Sequence, residues 1–201
     1  MGNMERTYYM NRLVYCLVIA CILAGCGNHD YSPKPRGYFR IDFPEKAYQD
    51  YTGGCPFTFK YPTYAEIVPD DYRISKPCWV NMEFPQFKGT LHLSYEDIPS
   101  KAIFDSLIEH SHEFAFKHTV KATSIEEQKL QYPEKKVYGI YYIIDGNTAS
   151  SAQFFLTDST KHFIRASLYF KNKPQIDSIQ PVLNFIKKDM DVMIKTFKWK
   201  N

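Results

Sequence analysis

The sequence predicts an α+β fold, an antiparallel sheet with two main helices, and three observations carry that expectation. Runs of period-two alternation come in two blocks of three, and each block is followed by an apolar stripe at helical spacing. Asp145-Gly146-Asn147 and Asp158-Ser159-Thr160 divide the second block with tight turns, which join neighbouring strands antiparallel. Glycine is sparse, at nine of 201 residues, and no G-x-G-x-x-G or Walker loop opens a helix, so nucleotide-binding α/β architecture is not indicated. Separate blocks of strands, each closed by a helix, belong to the α+β class.

The first 25 residues read as a leader. Arg6 and Arg12 flank the start of an apolar run from Leu13 to Leu23, and Leu23-Ala24-Gly25-Cys26 follows. A basic region, a short apolar region and small residues before a cleavage point make a secretory signal peptide. The run is well short of the roughly 20 apolar residues a spanning helix needs. The cysteine after a Leu-small-small triplet resembles a bacterial lipoprotein signal, which implies that Cys26 becomes the acylated first residue of the mature chain. The leader carries off two of the 25 basic residues and one of the 22 acidic ones, so the mature chain stays near neutral. No Lys/Arg block stands out, and nucleic acid is not an expected partner.

Residues 26–50 read as an extended tether, because Pro33, Pro35, Gly37 and Pro44 discourage regular structure. The single α+β domain is expected over 51–201. Phe57, Phe59 and Tyr61 alternate with polar residues as a first strand. Val80, Met82 and Phe84 give a second, and Leu91, Leu93 and Tyr95 a third. Ser100 caps a helix whose core face is Ile103, Phe104, Leu107, Ile108, Ser111, Phe114 and Ala115. Ala122 to Lys136 is polar and reads mostly as a connection. Val137 to Ile144, Ala149 to Leu156 and Phe163 to Phe170 form a meander. Ser178 caps the last helix, with Pro181 in its first turn. Its apolar stripe runs from Ile179 to Ile194, while Lys187, Lys188, Asp189 and Asp191 face water. Thr196 to Lys200 alternates Phe197 and Trp199 with lysines, as a short strand or clamp.

Cys16 and Cys21 leave with the leader, so Cys55 and Cys78 remain. An even pair in an exported chain reads first as a disulfide, with two free buried thiols as the alternative. Catalytic signals are weak. Glu109-His110-Ser111-His112-Glu113 looks metal-like, but His110 and His112 point about 200° apart on a helix. His112-Glu113 opens an H-E-x-x-H pattern that Phe116 breaks. No serine lies in a G-x-S-x-G elbow, and His92 and His162 have no spacing that demands a nucleophile. No catalytic residue, metal site or cofactor is assigned. Arg36, Tyr38, Phe39 and Arg40 in the arm, and Phe197 and Trp199 in the tail, set aromatics beside cations, a composition favoured at protein interfaces. The arm has a second reading, in which Phe39, Ile41 and Phe43 pack back onto the domain.

Four stretches carry a resemblance over essentially the whole mature chain. They are Pro33 to Lys46 (PKPRGYFRIDFPEK), Phe84 to Tyr95 (FPQFKGTLHLSY), Gln153 to Thr160 (QFFLTDST) and Thr196 to Lys200 (TFKWK). Together they resemble the gliding-motility lipoprotein GldD family of Bacteroidota, and the element layout resembles a PsbP-like α/β/α sandwich. The family resemblance implies a non-enzymatic accessory lipoprotein of the gliding and type IX secretion machinery, held in the bilayer through Cys26 and contacting other envelope proteins. The lipoprotein resemblance also implies placement on the periplasmic face of the outer membrane, since Gly27-Asn28-His29-Asp30 lacks the acidic run that directs surface display. An envelope hydrolase acting on glycan or peptide, and a module binding a small hydrophobic ligand between sheet and helix, are the competing functions.

Overall fold

Successive side chains along each strand enter opposite faces of the sheet, and that parity decides what each residue packs against. The computed structural model describes residues 40–72, 74–171 and 176–200, together with Met10, Arg12, Val14 and Tyr15. Cys26, Arg36, Tyr38 and Phe39 lie outside the described residues. Met10, Arg12, Val14 and Tyr15 are helical and exposed. Among the described residues no helix is long and apolar enough to cross a membrane.

The unit Ile41–Asn201 holds all the strands. In chain order these are β1 (Tyr48–Asp50), β2 (Phe57–Thr58), β3 (Lys60–Pro62), β4 (Glu66–Pro69), β5 (Val80–Phe84) and β6 (Gly89–Asp97). Helix α1 (Lys101–Phe116) follows, then β7 (Ala122–Tyr132), β8 (Val137–Gly146), β9 (Ser150–Thr157) and β10 (His162–Phe170). Helix α2 (Ile176–Thr196) and β11 (Lys198–Trp199) close the chain. Seven strands form one antiparallel sheet in the order β4-β5-β6-β10-β9-β8-β7. Two ribbons, β1-β3 and β11-β2, accompany it. The fold is α+β, as the sequence predicts.

Side-chain parity separates two cores. On β10, Ile164, Ala166 and Leu168 enter the larger core with Leu183, Ile186, Met190 and Met193 of α2. Phe163 points the other way and packs with Phe155, Tyr142 and Ala115 of α1. The helices therefore cover opposite faces. Ser100 caps α1 as expected, its hydroxyl accepting from the Ile103 N–H at 3.3 Å.

The structure departs from the sequence reading in several places. Residues 122–132 are an eleven-residue edge strand and not a connection. Its apolar residues change faces along its length: Ile125 joins the α1 core, Leu130 and Tyr132 the α2 core. No single alternation therefore spans it, and an edge strand favours charge because only one side is paired. The first expected strand is split, with Phe59 between β2 and β3, although Phe57 and Phe59 are buried as the alternation requires. Helix α2 begins at Ile176, ahead of Ser178, and Pro181 lies inside it. Ile103 and Phe114 are 44% and 41% exposed, so the core face of α1 is narrower than its apolar stripe. The compact unit starts at Ile41, and Tyr48–Asp50 pairs with Lys60–Pro62.

Candidate functional site

The tail is the first sequence-derived site that the structure resolves. Phe197, expected at a partner surface, is instead fully buried. Its ring stacks on Phe57 and Phe59 at 5.9 and 6.4 Å, so it belongs to the core. The cause is local. β11 pairs with β2, and Phe197, just ahead of that strand, turns inward while Lys198 turns outward. The Lys200 N–H donates to Pro56 O at 2.9 Å and Lys200 Nζ to Gly53 O at 2.7 Å, which fixes the chain end.

Trp199 is half-buried and borders a groove. Its Nε1 donates to Lys136 O at 3.2 Å, and its ring stacks on His162 at 5.2 Å. The Tyr95 hydroxyl donates to Asp97 Oδ1 at 2.6 Å and lies 2.7 Å from His162 Nδ1. A hydroxyl has one proton, so His162 Nδ1 carries its own and donates to the Tyr95 oxygen. Burial, then the bond to Asp97 and its charge, push the Tyr95 hydroxyl well above the usual tyrosine range. The groove encloses about 720 Å³ and is lined by Lys135, Lys136, Lys161, Lys198 and Lys200 against Glu134 and Asp158. Burial raises the Asp158 carboxyl, but the N–H groups of His162, Lys161 and Thr160 outweigh this and lower it. That carboxylate is thus occupied by its own turn. Lys136, Lys161 and Lys198 are exposed, which leaves the groove a cationic surface with an aromatic wall.

These lysines come from two separate turns and the tail, so nothing in local spacing announces the patch. Trp199 and Lys198 were legible, and Lys135, Lys136 and Lys161 were not.

Along α2 itself a second constellation fixes the arm. Asp189, expected in water, is 1% exposed. It accepts from Lys46 Nζ at 2.6 Å, from the Tyr48 hydroxyl at 2.9 Å and from the Tyr64 hydroxyl. Lys46 Nζ also donates to Phe185 O at 3.0 Å and sits 3.3 Å from the Phe185 ring centroid. Burial lowers the Lys46 pKa, and burial with the Asp189 contact pushes Tyr48 up to about 12. Phe43 packs on Phe185 at 4.5 Å and on Phe87 at 5.8 Å, in line with the reading of an arm that folds back. Arg40 is exposed at the edge of the described residues.

Cys55 and Cys78 are joined in a disulfide with a Cα–Cα distance of 5.5 Å. Two of the histidines have neighbours that hold their rings. His92 Nδ1 lies 2.7 Å from Asn81 Oδ1, whose amide donates to Asp70 Oδ1 at 3.3 Å. Desolvation lowers the His92 pKa. His112 stacks on Phe116 at 4.1 Å, with Nε2 3.6 Å from Glu127 Oε1. Among the described residues no three His, Cys, Asp or Glu side chains converge as a metal site.

Comparison with known proteins adds the family. Residues 28–199 match the family described as gliding motility lipoprotein GldD. A comparison with curated proteins gives no match. Among solved structures, the solution structure of cyanobacterial PsbP (CyanoP) from Synechocystis sp. PCC 6803 is similar at 13% identity and a TM-score of 0.45, covering 80% of this chain and 97% of that one. The matched segment runs from the arm, through Lys46 and the whole sheet, to Trp199, and on that extent the chain belongs to the gliding motility lipoprotein GldD family.

Proposed function

We propose that this lipoprotein works by contact and not by catalysis, as an accessory part of the gliding and type IX secretion apparatus, docking an acidic partner in the groove beside Trp199. Acyl chains on Cys26 hold it at the periplasmic face of the outer membrane. Two or more chains are needed for firm anchoring, since one alone binds only marginally. The observation that carries the reading is the lysine cluster: five lysines border one groove, and of its two carboxylates Asp158 is engaged by its own turn. Such a surface favours a partner of opposite charge and speeds its encounter. The rigid attachment of the arm at Asp189 supports the same reading, because a domain that transmits contact from a tether needs a fixed point of entry.

Complementation of a deletion strain tests it. The triple charge reversal Lys136→Glu, Lys161→Glu and Lys198→Glu alters exposed side chains, so folding is expected to change by only about 0.5 kcal/mol per site. Surface movement or secretion should fall to the level of the deletion, while the amount and processing of the protein stay normal. Charge reversal at Arg36 and Arg40 examines the arm in the same strain. Wild-type activity from the triple variant, together with loss of activity in a well-folded His92→Ala variant, would replace this reading with the hydrolase alternative.

A further inference from the structure

A second site lies on the α1 side of the sheet and shares no lining residue with the lysine groove, although both border β10. Its centre is Arg165 on β10. In register Arg165 lies between Ser94 of β6 and Phe155 of β9. Phe163, two residues earlier, enters the α1 core, so parity turns Arg165 to the same face. The guanidinium sits 4.2 Å from the centroid of the Phe114 ring. Among the described residues no carboxylate pairs with it and no acceptor bonds it. The neighbouring carboxylate of Glu96 is taken by Lys76 Nζ at 2.8 Å. Half-buried charge of this kind is costly, and five N–H donors remain to be satisfied.

Two adjoining cavities share Arg165 as a wall, together with Tyr72, Trp79 and Ser94. The larger, about 460 Å³, is mainly apolar, with Ile74, Leu107, Phe114 and Phe163 around it and Glu96 and His110 also on its wall. That volume falls in the range of roughly 300–1,000 Å³ typical of small-molecule sites. The smaller, about 280 Å³, is polar and bordered by Asp70, His92, Ser167 and Tyr169. The guanidinium thus stands at a boundary between a mainly apolar chamber and one lined by polar side chains.

The geometry points to a binding site for a small amphiphile with a carboxylate head and a single acyl chain. The carboxylate would pair bidentately with Arg165, the geometry in which guanidinium and carboxylate match best. The chain would lie in the apolar chamber beneath Ile74 and Phe114, covering two side chains that are 67% and 41% exposed. This inference does not rest on the docking groove, and its test involves no partner protein.

The test uses the mature chain from residue 26, with Cys26→Ser so that no detergent competes. The chain has two tryptophans, so Trp199→Phe leaves Trp79 as the sole indole reporter. Decanoate should shift Trp79 emission saturably below about 1 mM, and decanol should bind at least about tenfold more weakly. Arg165→Gln should weaken decanoate by about tenfold or more. Ile74→Asp, at an exposed position, should weaken it comparably with an unchanged circular dichroism spectrum, and it decides the matter should Arg165→Gln not fold. Equal affinity for decanol and decanoate, no saturable shift, or unchanged binding in a folded Arg165→Gln variant would each overturn the proposal.

Discussion

Asp189 shows how a residue gains meaning only from what folds over it. On the helix it stands in a charged set, Lys187, Lys188, Asp189 and Asp191, that periodicity sends to solvent. The arm covers that side of α2 and delivers Lys46 and Tyr48 from one segment and Tyr64 from another. Three donors converge on one buried carboxylate, and removing the charged one leaves it undercompensated. A hydrogen bond to a charged group contributes about 1.5–3 kcal/mol, so Lys46→Met should lower the unfolding free energy by about 2–3 kcal/mol. Tyr48→Phe should cost less, about 1 kcal/mol, because a neutral donor is lost. Urea unfolding of both variants measures this, and a loss under about 0.5 kcal/mol for Lys46→Met would mean that the contact does not pin the arm.

The elements differ in how openly the sequence wrote them, and the reason is what each packs against. Strand β5 was read to the residue, because one face meets the α2 core and the other does not. The meander β8-β9-β10 was legible from its turns. At Gly146 the backbone takes φ 105°, a conformation that glycine adopts freely and other residues rarely do. Strand β7 was not legible, since a strand paired on one side and switching its apolar face midway shows neither period. The lysine groove was invisible for a related reason: it is assembled by topology from distant turns. Gly139 of β8 interrupts an apolar run, and the reason is steric. A Cβ there would stand 1.9 Å from the Phe155 carbonyl oxygen, which belongs to the neighbouring strand and cannot rotate away. Gly139→Ala should therefore destabilise the domain by about 1–3 kcal/mol, as overpacking does, despite the higher strand propensity of alanine. Thermal unfolding checks this, and an unchanged or raised melting temperature would show that β8 and β9 separate at little cost.

Across the whole molecule, the first and last parts of the domain are tied together by short pieces with little intrinsic stability. Two-residue ribbons are marginal on their own. Here β2 pairs with β11 at the chain end, and Cys55, just before β2, bridges to Cys78, just before β5. The disulfide therefore links the ribbon that carries Trp199 to the main sheet. The bridged residues are 23 apart, and closing a loop of that size contributes roughly 3 kcal/mol in the chain-entropy model. A typical domain has only about 5–15 kcal/mol in total, so this share is large. Replacing both cysteines by serine should lower the urea midpoint by about 1–2 M, given a slope of about 1–3 kcal/mol per molar. The stacked rings of Phe57, Phe59 and Phe197 argue that the ribbon stays packed without the bridge, so the variant should still fold and its Trp199 should still report a native emission spectrum. A midpoint shift below about 0.5 M would place the stability of this end in the aromatic cluster and not in the covalent link.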